Sequence, residues 1–158
     1  MSMVPVTVLR TIKGQRGALQ FWVEDSINVR KMLEQKLQPS GWCEVGPQYN
    51  LMNVFDILIH NSDRTQENAL FTKDWTLVLI DHTRAFGVDL RDPVRLYRGE
   101  PTVPPALAAR LAKLDERMLT SALSPYLQRR QIAALLKRRD VLLQKYAQPK
   151  AASVAVSR

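Results

Sequence analysis

Three side chains of one segment have the types and spacing for chemistry: Asp63, Asn68 five residues later, and Asp81 thirteen residues after that. One carboxylate that orients a hydroxyl, with an amide and a second carboxylate that hold magnesium, is what phosphoryl transfer from a nucleotide requires. Each residue alone also suits a plainer duty. Asp63 and Asn68 are of types common in turns. Asp81 ends the apolar run Leu77-Val78-Leu79-Ile80, and an acid at the end of a buried strand needs a partner or a metal. The combination points to chemistry where the single residues do not.

These residues need elements to position them. Residues 4–10 are rich in β-branched side chains and read as a strand. Residues 13–17 hold two glycines and read as a turn. Residues 18–24 alternate, with Leu19, Phe21 and Val23 on one face, so the two runs make a hairpin. Asp25 and Ser26 offer a cap for a helix over about residues 27–37, stopped by Pro39 and Gly41. A second helix is expected over about residues 48–60, with an apolar arc wide enough to bury it on most sides. Asp56 falls inside it, where it could hold Arg64 or Arg84 behind the site. Residues 61–66 read as a polar loop, 69–71 and 76–80 as short strands around a turn at Lys73 and Asp74. Residues 84–104 are irregular, broken by Pro93, Pro101 and Pro104. Helices follow: one bearing Leu107, Leu111 and Leu114, one capped by Asp115, and a longer one from Ile132 to Tyr146. Residues 148–158 are small and polar and expected to fray.

A chain of 158 residues with 46% hydrophobic and 24% charged content builds one domain with a real core, not a disordered segment. No apolar run reaches the roughly 18–20 residues of a membrane span, and the first residues lack the basic-then-apolar order of a secretory signal. The one cysteine, Cys43, excludes an internal disulfide and has no basic or histidine neighbour to activate it. A reducing, cytoplasmic setting is the expectation. The net charge of +8 favours anionic partners or is a plain solvated surface. Much of the excess lies late, in Arg129, Arg130, Lys137, Arg138, Arg139 and Lys145. Aromatic residues are not interleaved with these charges, so nucleic acid is not the expected partner.

Asp63-Arg64-x-x-x-Asn68 followed by Ile80-Asp81 resembles the catalytic and metal-binding loops of atypical kinases: lipid kinases of the phosphatidylinositol 3- and 4-kinase type, HipA-type toxin kinases and Golgi kinases of the Four-jointed type. The phrases Phe55-Asp56-x-Leu58-Ile59-x-Asn61-x-Asp63-Arg64 and Ile80-Asp81-x-x-Arg84-Ala85-Phe86 carry the same likeness. The resemblance implies Asp63 as the catalytic acid–base group; Arg64 beside it reads either as a partner of Asp63 or a phosphate or as a surface arginine. The resemblance implies Asn68 and Asp81 as magnesium ligands, ATP as the donor, and a hinge at Trp22, Val23 and Glu24 that offers backbone groups to adenine. Two positions depart from the family pattern: Thr65 replaces a histidine, and His82-Thr83 replaces Phe-Gly. His60 and His82 read as packed or solvated histidines more than as ligands.

The resemblance also shows what is missing. No Gly-x-Gly-x-x-Gly loop precedes Asp63, and Lys13 lies in a turn where the family has a strand lysine. The expected fold is therefore α+β: an N-terminal β-hairpin as a small-lobe remnant, then a mostly helical kinase-like large lobe containing a short catalytic hairpin. Residues 1–24 would be the remnant and hinge, 25–147 the large lobe and 148–158 the tail. The expected activity is phosphoryl transfer from Mg-ATP to a protein, lipid or small-molecule hydroxyl, weak in this chain alone unless a small lobe or partner chain completes it. A non-catalytic interaction module of pseudokinase type, using the basic C-terminal helix, is the alternative.

Overall fold

The computed structural model describes residues 3–40, 44–93 and 95–147. Cys43 and the expected fraying of residues 148–158 lie outside the described residues. Among those described, five helices and two small antiparallel sheets make a mixed α+β fold.

The first sheet is a ribbon of β1 (Thr7–Ile12) and β2 (Gln15–Gln20). Lys13 and Gly14 join the strands, both at positive φ (50° and 79°). That is the primed turn whose twist suits a two-residue hairpin loop, and glycine takes the second place without strain. Both strands are exposed along their whole length. The expected strands sit a few residues too far out: the first was placed at 4–10 and the second at 18–24. Phe21 to Val23 lie beyond β2 and continue as irregular chain.

The second sheet has the order β3-β4-β5, where β3 is Ile27–Asn28, β4 Ala69–Phe71 and β5 Leu77–Leu79. β3 occupies residues expected to begin a helix. The helix α1 (Val29–Glu34) starts later because the cap is Asn28, whose Oδ1 accepts from the Lys31 N–H at 2.9 Å, and not Asp25 or Ser26. α2 (Val45–Ile59) runs behind this sheet. Val29, Met32, Met52, Ala69, Phe71, Leu77 and Leu79 form the core between them.

The C-terminal half is α3 (Pro105–Leu111), α4 (Glu116–Leu123) and α5 (Arg129–Lys145). The Asp115 carboxylate caps α4, accepting from the Met118 N–H at 2.7 Å. Val54 and Ile57 of α2 pack against Val103, Leu111, Leu142 and Tyr146, and Leu119, Ile132 and Leu135 continue that core. α2 therefore serves both halves, which is why its apolar arc is so wide. The irregular stretch between β5 and α3 has one backbone bridge, Val103 to Ala147, and is otherwise held largely by side chains. Asn50 exchanges two hydrogen bonds with the Thr102 backbone, at 2.8 and 2.9 Å. Asn53 donates to the Tyr97 carbonyl at 2.9 Å. The buried Arg138 donates to the carbonyls of Leu58, Gly87 and Asp89, at 3.0, 2.9 and 2.9 Å.

Candidate functional site

The site begins where α2 ends. His60 takes a left-handed conformation (φ 50°) and turns the chain out of the helix, and the Asn61 N–H closes on the Asp56 carbonyl at 2.8 Å. Asn61 is fully buried. Its amide donates to Asp56 Oδ1 at 3.1 Å and its Oδ1 accepts from the Asp63 N–H at 3.3 Å. The backbone at Asp63 is thus tied to the helix that precedes it.

Arg64 is the centre of the arrangement. Its side chain has no exposure. Nε and Nη2 donate to the two oxygens of Asp56, each at 3.0 Å. Nη1 donates to the carbonyls of Asn68 and Ile80, each at 2.8 Å. Nη2 lies 2.9 Å from His82 Nε2. Five N–H groups are all that a guanidinium has, and all are engaged inside the protein. Arg64 therefore binds neither Asp63 nor a phosphate; it clamps α2, the entry to β4 and the exit of β5 together. Of the two expected partners of Asp56, Arg64 holds it and Arg84 does not.

His82 is fixed by the same contact. A guanidinium only donates, so Nε2 must accept and the ring proton sits on Nδ1. Burial first, and then the Arg64 charge, push the imidazole below its ordinary pKa, with Asp56 and Asp81 opposing. The ring also meets Phe55 edge-on at 5.8 Å. His82 Nε2 is engaged and is not available as a ligand.

The ladder brings Asn68 next to Asp81. The Ile80 N–H donates to the Asn68 carbonyl at 3.1 Å, so the two proposed ligands are separated by one peptide unit across the hairpin. Asp81 does not sit at a buried strand end as expected. It is exposed, in a left-handed conformation (φ 52°), and its Oδ1 accepts from Thr83 Oγ1 at 2.7 Å and from the Thr83 N–H at 3.3 Å. These bonds hold its carboxyl below the usual carboxylate range, so it is an ionised hard oxygen donor at neutral pH. The Asn68 amide donates to the Asp63 carbonyl at 3.4 Å. Asp63 is half-exposed and its Oδ2 lies 3.5 Å from Arg84 Nε.

Two cavities lie between the ribbon and the body. One, of about 410 Å³, is lined by Phe21, Trp22 and Val23, by Leu70 and Ile80, and by Lys31. Trp22 and Val23 stand where the hinge was expected; Glu24 is exposed and does not line it. The other, of about 610 Å³, is lined by Phe55, Ile59, Phe86, Asp81, His82 and Thr83 under Thr7, Ala18 and Gln20. Gln20 lines both, and Ile80 and Asp81 are consecutive. The two cavities thus share one lining residue; the 21–23 segment lines the first and Asp81 the second.

Among the described residues no three His, Cys, Asp or Glu side chains gather as a metal cage. A magnesium ion does not need one: it commonly takes one or two protein oxygens and completes its shell with phosphate and water. Asp81 carries an ionised oxygen donor and Asn68 an amide oxygen, the donor types such a shell uses.

Two residues of the site carried no role in the sequence reading, Asn61 and Gln20. Asn61 had a signal, an amide between the helix end and Asp63. Gln20 had none, since its place depends on how the ribbon is set over the body. Compared with models of known protein families the chain matches none, and no curated protein sequence matches it.

Proposed function

We propose that this chain is a kinase-like domain that holds Mg-ATP and directs its γ-phosphoryl group toward a hydroxyl, with low turnover when alone. The observation that supports the reading is the pair of cavities beside the ribbon, one lined by residues 21–23 and the other by Asp81, with Gln20 common to both. Adenine would lie against the apolar walls formed by Trp22, Val23, Leu70 and Ile80. Asn68 and Asp81 would hold the magnesium, which when bound neutralises phosphate charge and so eases transfer. Asp63 would orient the acceptor hydroxyl and take its proton; it must first leave Arg84, an exposed and therefore weak contact. Asp56, Asn61 and Arg64 line neither cavity, and His82, which lines the second, has its Nε2 held by Arg64. They are positioning residues that fix the peptides bearing the working groups.

Low turnover follows from what does not face the phosphates. No glycine-rich loop and no strand lysine precede Asp63, and loss of one preorganised electrostatic contact alone costs about 10²–10³ in rate. A small lobe or partner chain would supply these groups. Calorimetry with ATP, with and without magnesium, tests the reading. Magnesium-dependent binding should weaken by about tenfold or more in Asp81→Ala, a loss of the size expected for a charge-assisted contact. Equal binding by the wild type and Asp81→Ala would contradict it. Salt-sensitive binding of an acidic protein that survives Asp63→Ala and Asp81→Ala would favour the non-catalytic module.

A further inference from the structure

The β1–β2 ribbon has properties of a sheet interior while standing in solvent. In the register Val8 faces Leu19 and Leu9 faces Ala18, and successive pairs project from opposite faces. Both faces are thus apolar at mid-ribbon. The Phe21 N–H donates to the Val6 carbonyl at 2.9 Å, which sets the phase of the ladder. Bonded and non-bonded pairs alternate from there, so Thr7, Leu9 and Thr11 point their N–H and C=O groups away from β2. β1 has an open edge. Beside that edge lies a groove of about 470 Å³ lined by Thr7, Val8, Leu9 and Arg10 on one side and Tyr126 on the other. Arg10 lies along it, its Nη1 donating to the outward Leu9 carbonyl at 2.9 Å.

From these features we infer that the groove between β1 and Tyr126 is a docking site for an extended, acidic segment of another polypeptide, which adds a strand to the β1 edge. The charge decides the partner. Residues 4–23 contain Arg10, Lys13 and Arg16 and no acid. A second copy of the ribbon would set like charges side by side, the device by which natural edges resist self-pairing. An incoming strand displaces Arg10 from the Leu9 carbonyl, and a Glu or Asp on that strand gives the guanidinium its replacement partner. Main-chain bonds supply the affinity and the acid supplies the choice. The inference does not depend on nucleotide binding.

The test uses fluorescein-labelled short peptides of alternating valine and glutamate, read by anisotropy against the whole chain, with a valine–lysine peptide as control. The acidic peptide should bind at least about tenfold tighter than the basic one, since like-charge juxtaposition is strongly disfavoured. Arg10→Glu, an exposed change that leaves the core intact, should reverse the preference. N-methylation of alternate peptide amides should abolish binding. Equal binding of both peptides, binding by neither, or binding indifferent to N-methylation would overturn the proposal. So would a dimer in sedimentation that Arg10→Glu disrupts, which would make a second copy the occupant.

Discussion

Arg64 shows how a residue can be essential to a site without working in it. Its guanidinium joins Asp56, the carbonyls of Asn68 and Ile80, and His82. Removing one partner of a buried pair strands the other, at a cost of about 3–5 kcal/mol. Arg64→Met should lower unfolding free energy by that order in urea titrations, and adding Asp56→Asn should restore part of the loss. His82 gives a pH signature. Its folded pKa lies below the ordinary 6.5, so the folded state favours the neutral ring. That contribution is fully present above the unfolded pKa, about 6.5, and is lost as pH falls through the depressed folded value. Wild-type stability should drop in that acidic window, and His82→Gln should flatten the drop. The pattern Asp56…Asn61…Asp63-Arg64 was legible as a cluster, but which acid took the arginine was not. Asp63 is the sequence neighbour, yet the left-handed His60 turns the loop so that Asp56, eight residues back, lies beneath Arg64 and Asp63 lies at the surface.

At the scale of elements, strong local signals were readable and tertiary choices were not. α4 announced itself by Asp115 ahead of an apolar periodicity, and the cap formed as expected. Asp115→Ala should cost about 1 kcal/mol, the usual value of such a cap, in thermal or urea unfolding. The hairpin of β4 and β5 was legible because its runs are short, apolar and split by Lys73 and Asp74. β3 was not, because two residues carry no periodicity and only pairing with β4 makes them a strand. The ribbon was legible as a hairpin but not as an exposed one. Alternation placed Leu19, Phe21 and Val23 on one strand face, whereas the chain leaves the strand after Gln20 and Phe21 and Trp22 line a cavity instead.

Across the whole molecule α2 is the shared wall. Met52 packs toward the sheet and Val54 and Ile57 toward the helices, so the site hairpin and the C-terminal helices are fixed to one rod. Met52→Ala should therefore destabilise the fold by about 2–5 kcal/mol, the range for emptying a close-packed core position, measured by urea unfolding. The net charge is +8, and the two cavities carry Lys31 in one lining and Asp81 in the other; under the proposed function these would meet an anionic ligand and its cation.

The most direct test of that account is a ¹⁵N NMR titration with ATP and paramagnetic manganese in place of magnesium. Amide signals of Asn68 and Asp81 should broaden first, while those of Trp22 and Val23 shift with less broadening because the base end lies farther from the metal. Broadening centred on the basic face of α5, or no broadening in residues 63–83, would contradict it.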